Sequence, residues 1–337
     1  MSDNITKKAF AGIKHLFILN PRSFWNVWKM ENVLARIYTF FDAGGDFEIA
    51  ISQFPRDSMG IIHSCIQDLP EGTKLRVYAV GGDGILFDCL NGIMGLPNVE
   101  LGAIPYGRTN NFIRGFCRKS KKVFRNLGVQ CSASAVPIDV IHAGNNYAIC
   151  HCAVGAEAEA VRRAIIVCSQ MEQGGFFSQW LSRKLYESFY IWGGVRACLD
   201  KKLLYQNYEI TVDGETSSGL YRGISMFNSP YYGGSMHPVN SALPNDGILD
   251  ALIPRSCGIL KTCCLLPFYV GGRHKKFPRD FIHKRGRKIT IRSEYPLIVS
   301  LDDIVFFDTE LTVELLPGAV QFIDPTKQGY QGIPADG

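Results

Sequence analysis

Leu75-Arg76-Val77-Tyr78-Ala79-Val80, followed by Gly81-Gly82-Asp83-Gly84, decides the fold. A short apolar run broken by glycines reads as a strand entering a tight turn. Ile85 to Met94 then resumes helical spacing. Glycines at such a junction let the backbone approach a ligand closely and turn several N–H groups the same way, and the helix N-terminus adds its positive dipole end. Strand, glycine turn and helix together make a cradle for phosphate. Asp83 within it would hold a cation or ribose hydroxyls, or cap the helix.

The grammar on either side is the same. His15 to Leu19 is a strand ending at Asn20-Pro21, Glu31 to Phe41 has helical spacing, Phe47 to Ile51 is a second strand with Ser52 after it, and Asp57 to Leu69 is a helix. Leu101 to Ile104 is a fourth strand, ended by Pro105. Tyr106-Gly107-Arg108-Thr109-Asn110-Asn111-Phe112 then leads into a helix that Thr109 or Asn110 can cap. Strands alternating with helices predict an α/β domain with a parallel sheet covered on both faces. Two glycine-bearing turns at the carboxyl ends of its strands mark a ligand site.

After about residue 135 the pattern changes. Pro137–Val140, Asn146–Val154, Leu204–Val212, Gly219–Asn228, Gly247–Ile253, Lys288–Arg292, Leu297–Leu301 and Leu311–Leu316 read as strands, mostly without helices between them. They predict an antiparallel, all-β sandwich domain. One helical insertion stands out, with Phe177, Leu181, Leu185, Phe189 and Trp192 at spacings of three or four. That stripe suits core, a homodimer contact or a membrane surface. The length, 337 residues, suits two domains. They are expected at 1–135 and 136–316, with about 317–337 packing back on the first and the tail from Asp324 loosely held.

With 46% hydrophobic and 20% charged residues, wholesale disorder is excluded. The eleven cysteines are odd in number, show no C-x-x-C spacing and sit mostly in apolar runs, which reads as reduced thiols in the core and no zinc site. Met1 to Lys8 has no apolar core of a signal peptide, and the apolar stretch near Cys263 is interrupted by Lys261 and Arg273, too short to span a bilayer. A cytoplasmic location is expected. The net charge of +5 is modest, but nine of the 36 Lys and Arg fall between Arg273 and Arg292, opposed there only by Asp280. Lys275, Lys276, Lys284, Arg285 and Arg287 form a candidate patch for an anionic membrane surface, or else a solvated loop and strand edge. The stretch lacks interleaved aromatics, so nucleic acid is not expected as a partner.

The motifs taken together resemble the diacylglycerol-kinase family of lipid kinases, related in fold to NAD kinases. The family's Gly-Gly-Asp-Gly-Thr turn is similar to Gly81-Gly82-Asp83-Gly84-Ile85, with Asn91-Gly92 after it. Its Gly-Thr-x-Asn-Asp-Phe turn is similar to Gly107-Arg108-Thr109-Asn110-Asn111-Phe112, and its Asn-Pro-x-Ser turn to Asn20-Pro21-Arg22-Ser23. Ile138-Asp139, Val154 to Ala158, Tyr232-Gly233-Gly234, Asn245 to Asp250 and Pro296 to Pro317 resemble the family's second domain in order.

The resemblance implies an ATP-dependent kinase acting on a lipid hydroxyl, Mg²⁺-dependent, peripheral to the membrane, with ATP in a cleft between the domains. Asn20, Ser52, Gly81, Gly82, Asp83, Gly84, Arg108 and Asn110 would bind nucleotide. A structural Mg²⁺ would sit on Asp246 with the carbonyls of Leu243 and Ile248, a donor set that suits a hard cation. Four departures bear on mechanism: Ile85 and Arg108 replace threonines, Asn111 replaces an Asp, and Ile304 replaces the family's catalytic glutamate. Asp302 is left as the candidate base, or as a solvated turn residue, and Arg108 would bring positive charge to a phosphate. Two alternatives stand beside this reading: a weak or inactive relative that binds nucleotide or lipid, and an NAD-kinase-like enzyme, disfavoured because no Asn-Glu pair follows the glycine turn.

Overall fold

The computed structural model describes residues 12–333 apart from 25–26, 43, 118, 175–180, 182–184, 201–202, 204–205, 235 and 303. The elements in chain order are β1 (Ile13–Leu19), α1 (Val27–Phe41), β2 (Asp46–Ile51), α2 (Asp57–Gln67), β3 (Lys74–Gly81), α3 (Asp83–Ile93), β4 (Val99–Pro105), α4 (Asn111–Arg114), α5 (Ser120–Phe124) and α6 (Leu127–Ser132). There follow β5 (Ala135–Ala143), β6 (Asn146–Ala148), β7 (His151–Gly155), α7 (Ala156–Glu172), α8 (Tyr186–Leu199), β8 (Gln206–Val212), β9 (Glu215–Tyr221), β10 (Gly223–Phe227), β11 (Leu249–Pro254), α9 (Ile259–Val270), β12 (Phe281–Gly286), β13 (Lys288–Leu301) and β14 (Ile304–Ile323). The chain divides into a first unit, Met1–Ile138 with Gly318–Gln331, and a second, Asp139–Pro317 with Gly332–Gly337.

In the first unit β2, β1, β3 and β4 pair in that order, all parallel, and the end of β14 adds a further parallel strand through Gln321 and Phe322. Parallel strands are covered on both faces, so they read as unbroken apolar runs rather than alternations. Leu16, Phe17, Ile18 and Leu19 are all fully buried. Helix α1 lays Val33, Ile37 and Phe41, one stripe at a spacing of four, against Phe17, Tyr78 and Ile104. Gly92 lets α3 approach α2, because a Cβ there would meet Ile62 Cδ1 at 2.8 Å and Met59 Cα at 3.1 Å.

The tail is a correction to the sequence reading. Rather than loose, Asp324 is buried, with Oδ1 accepting from the Thr326 N–H and Oδ2 from the Gly329 N–H. Tyr330 packs on Phe112 and Phe116 at ring distances of 5.3 and 5.0 Å. Gly115 makes room for that ring, since a Cβ there would lie 2.0 Å from it.

The second unit is antiparallel. β12, β11, β10, β7 and β13 pair in sequence, β13 also pairs with β14 and β8, and β8 with β9. Lys288–Arg292 and Leu297–Leu301, read as two strands, are one strand whose register shifts between Arg292 and Leu297. The expectation of few helices here is also corrected: α7 and α9 both belong to this unit. Val161 and Ala164 of α7 and Leu265 and Tyr269 of α9 share a core with Phe227, Leu252 and Phe281. Of the stripe from Phe177 to Trp192, Phe177 lies outside the described residues, Phe189 packs on this core, and Leu185 and Trp192 are exposed. Among the described residues no helix is long and apolar enough to cross a membrane.

Candidate active site

Three turns meet at the carboxyl ends of β1, β3 and β4. Gly82 precedes α3 with no side-chain cap, so the first N–H groups of the helix, from Asp83 onward, face outward from the turn. The Gly81 carbonyl accepts from the N–H groups of Tyr106 and Gly107, at 2.7 and 2.8 Å, which ties the second glycine turn to the first. Neither turn has room for a side chain at the contact. A Cβ on Gly107 would lie 2.2 Å from Gly82 Cα, and a Cβ on Gly81 would lie 2.6 Å from Ser23 Oγ.

The side chains bind the same turns together. Asp83 Oδ2 accepts from Thr109 Oγ1 at 2.6 Å and from Asn111 Nδ2 at 3.2 Å. Asn110 is buried in the left-handed region, φ +53°, where Asn is tolerated, and its Nδ2 donates to the Gly107 carbonyl at 2.7 Å. Asn20 caps the 21–23 turn, Oδ1 accepting from the Arg22 N–H, and the Ser52 N–H and hydroxyl both donate to the Leu19 carbonyl. Asp83 and Asn110 are therefore turn-builders first. Arg108 is exposed beside them. Ile85 is buried and brings no hydroxyl to this turn.

In the second unit Asp302 sits where β13 turns into β14, with φ +44°. Its side chain is 7% exposed. Oδ2 accepts from the Ile149 N–H at 2.8 Å, and Oδ1 from the N–H groups of Cys150 and His151 at 3.1 and 2.9 Å. A carboxylate whose lone pairs are taken by three amides holds backbone in place. The reading of Asp302 as the base is corrected on that ground, and Ile304 beside it offers no acceptor.

The loop before β11 departs from the implied Mg²⁺ site. Asp246 Oδ2 pairs with Arg285 at 2.5 Å, Oδ1 accepts from the Ile248 N–H at 3.2 Å, and Arg287 Nε donates to the Gly247 carbonyl at 2.9 Å. Asp139 completes the clamp: its Oδ2 accepts from the Gly247 N–H at 2.7 Å and its own N–H donates to the Pro244 carbonyl. Burial, partly offset by Arg285, raises the Asp246 carboxyl above the ordinary range. An arginine paired with that carboxylate does not fit a hard divalent cation on Asp246, Leu243 and Ile248.

The same contacts revise the basic patch. Lys284 pairs with Glu215, Arg285 with Asp246 and Asp250, Lys288 with Glu314, and Arg292 with Glu209 and Glu310. Lys284, Arg285 and Arg287 thus contact neighbouring strands and the 243–248 loop. The acidic partners of Lys284 and Arg285 lie 35 to 69 positions earlier in sequence. Lys275 and Lys276 stay exposed.

A feature without a role in the sequence reading is a cavity of about 330 Å³ inside the second unit. Val161, Ile224, Met236, Leu265 and Phe281 make its wall apolar, and Glu157 brings a carboxylate to it. Glu157 Oε2 accepts from Tyr269 and from Ser225 Oγ. Oε1 has no hydrogen-bond partner among the described residues and stands 3.8 Å from His151 Nε2. Burial, with Glu157 beside them, pushes the Tyr232 and Tyr269 phenols well above their ordinary value, so both stay protonated. An acid in the apolar run Val154 to Ala160 was the available signal.

A family model of the diacylglycerol kinase catalytic domain matches residues 14–143, and one of the YegS C-terminal NAD kinase beta sandwich-like domain matches residues 179–324. The chain carries a diacylglycerol kinase catalytic domain. Proteins named “Putative lipid kinase” in Staphylococcus aureus strains Mu3 and Newman are each 25% identical over 252 residues, 73% of this chain and 76% of theirs. A crystal structure of a diacylglycerol kinase from Bacillus anthracis shares the fold over 94% of this chain and 98% of its own, with a TM-score of 0.65 at 19% identity. A second structure from that organism aligns with a TM-score of 0.70 at 21% identity. The catalytic-domain match falls mainly on the α/β unit and the beta sandwich-like match mainly on the second unit.

Proposed function

We propose that the protein transfers the γ-phosphoryl group of ATP to the hydroxyl of a lipid, diacylglycerol or a related one, at the cytoplasmic face of an anionic membrane. The observation that carries this reading is the apolar cavity of the second unit, with the carboxylates of Glu157 and Asp280 on its wall. Apolar walls with a few polar groups suit one acyl chain and a hydroxyl-bearing head.

Phosphoryl transfer asks the protein chiefly to position and to neutralise charge. The outward N–H groups of α3 and the Gly81–Gly84 turn take the nucleotide phosphates, flanked by Asn20 and Ser52. Asn110 shapes the turn, Asp83 locks Thr109 and Asn111 against it, and exposed Arg108 adds positive charge. Mg²⁺ accompanying the nucleotide would supply further neutralisation of the transferring group; no residue of the 243–248 loop is assigned to it. With Asp302 engaged and Ile304 apolar, no positioned base assists the lipid hydroxyl. Such a base is typically worth 10²–10⁴-fold, so turnover is slow.

That same missing base favours a second reading, a nucleotide- or lipid-binding relative without turnover. Incubation with γ-labelled ATP, Mg²⁺ and mixed lipids separates the two. Labelled lipid supports the kinase; binding of ATP and lipid with no label at any lipid concentration supports the second reading.

A further inference from the structure

Helix α9 carries an apolar stripe on its outside. Leu260 is 85% exposed, and Cys263, Cys264 and Pro267 are exposed with it, at the i, i+3, i+4, i+7 spacing of one helix face. The opposite face, Thr262, Leu265 and Tyr269, is buried. The chain then runs back alongside the helix. The Arg273 N–H donates to the Phe268 carbonyl at 2.8 Å, Phe277 packs on Phe268 at 4.7 Å, and Asp280 pairs with Lys261 at 2.5 Å, near the start of α9. This returning segment carries Arg273, Lys275, Lys276 and Arg279, all exposed. None of the four pairs with a carboxylate among the described residues, and Asp280 is already taken by Lys261.

We infer that α9 and the 273–279 segment are the surface by which the protein docks on an anionic bilayer, with Leu260 and its stripe entering the headgroup boundary and the four cations meeting anionic headgroups. An apolar helix face flanked by basic residues is the pattern of an interfacial helix. A second copy is the poorer occupant, because a two-fold contact would set the same unpaired cations against each other. The face supplies the membrane partner of the lipid-kinase reading. Its test contains no nucleotide, so its outcome is separate from that of phosphorylation in detergent micelles.

The full chain is sedimented with sucrose-loaded vesicles of phosphatidylcholine, with and without phosphatidylserine, at low and high salt. Binding is expected only with phosphatidylserine and weakens with salt. Lys275→Glu/Lys276→Glu lowers the partition coefficient at least about 30-fold, each cation near the surface being worth roughly a factor of five. Leu260→Glu lowers it about tenfold or more. Arg292→Glu, on a residue already in ion pairs, changes it less than about twofold. All these side chains are exposed, and circular dichroism checks that each variant is folded. No binding by the native chain, an equal loss in Arg292→Glu, or a native dimer that Leu260→Glu dissolves would each overturn the inference.

Discussion

Gly107 stands directly against Gly82: a Cβ on Gly107 would fall 2.2 Å from Gly82 Cα and 2.9 Å from its nitrogen. The cradle is therefore two backbone turns in contact, and its shape depends on the absence of side chains at both positions. Gly107→Ala is expected to separate them, costing about 1–3 kcal/mol as overpacking does and weakening ATP binding at least tenfold. Thermal unfolding and nucleotide titration read the two effects. A variant that binds ATP as the native chain does would show that the contact is not needed.

Asn111 donates to Asp83 at 3.2 Å, where the family places an acid. Asn111→Asp replaces that hydrogen bond with two like charges, so stability at neutral pH should fall by about 1 kcal/mol or more. The loss should shrink as pH drops and one carboxyl takes a proton. Denaturant melts of both proteins at pH 7 and pH 4.5 check the sign; a loss that grows on acidification is inconsistent with the pairing.

Asp302 accepts from three backbone amides across the β6–β7 connection. Asp302→Ala leaves those buried donors bare, at about 1–3 kcal/mol for each one left unsatisfied. A residue acting only as a base would instead lose activity with stability intact. Melting temperature and rate measured on one preparation distinguish the two. Ile304→Glu, in contrast, should raise the transfer rate by about 10²–10⁴-fold if a base is what the site lacks.

At the 243–248 loop arginine stands where a cation is implied. EDTA should leave the melting temperature of the nucleotide-free protein unchanged, and Arg285→Ala should lower it, because Asp246 and fully buried Asp250 both lose a partner. A melting temperature that drops with EDTA and recovers with Mg²⁺ would restore the metal.

Burial, helped by Arg76, holds the His15 imidazole down at about 3, against its usual 6.5. Between these values the unfolded chain binds a proton that the folded chain refuses. The contribution is full above pH 6.5 and lost as pH falls, by about 1.4 kcal/mol per unit. His15→Gln keeps an acceptor for the Tyr78 hydroxyl, which lies 3.0 Å from His15 Nδ1, and removes the titration. Its stability should be flatter between pH 7 and 5 than that of the native chain. Equal slopes would place the acid sensitivity elsewhere.

The fold class was legible because β1 to β4 are apolar runs punctuated by glycine, proline and asparagine, signals that are local in the chain. Helix α7 was not, because its buried face is built of Ala158, Val161, Ala164 and Cys168, residues too small to mark a period against Arg162 and Arg163. Helix α9 was hidden for the opposite reason: it is apolar on both faces and carries Pro267 inside. Pairings between distant residues were out of reach. The donors to Asp302 lie about 150 residues earlier, and the acids that neutralise Arg285, Lys288 and Arg292 come from β8, β14 and the 243–248 loop.

Phosphoryl transfer to a lipid is measured by following the γ-label of ATP into diacylglycerol in mixed micelles, for the native chain and for Gly107→Val. The native chain should label the lipid slowly and the variant not at all, with lipid binding by the second unit kept in both. A native chain that binds ATP and lipid yet never labels the lipid would contradict it.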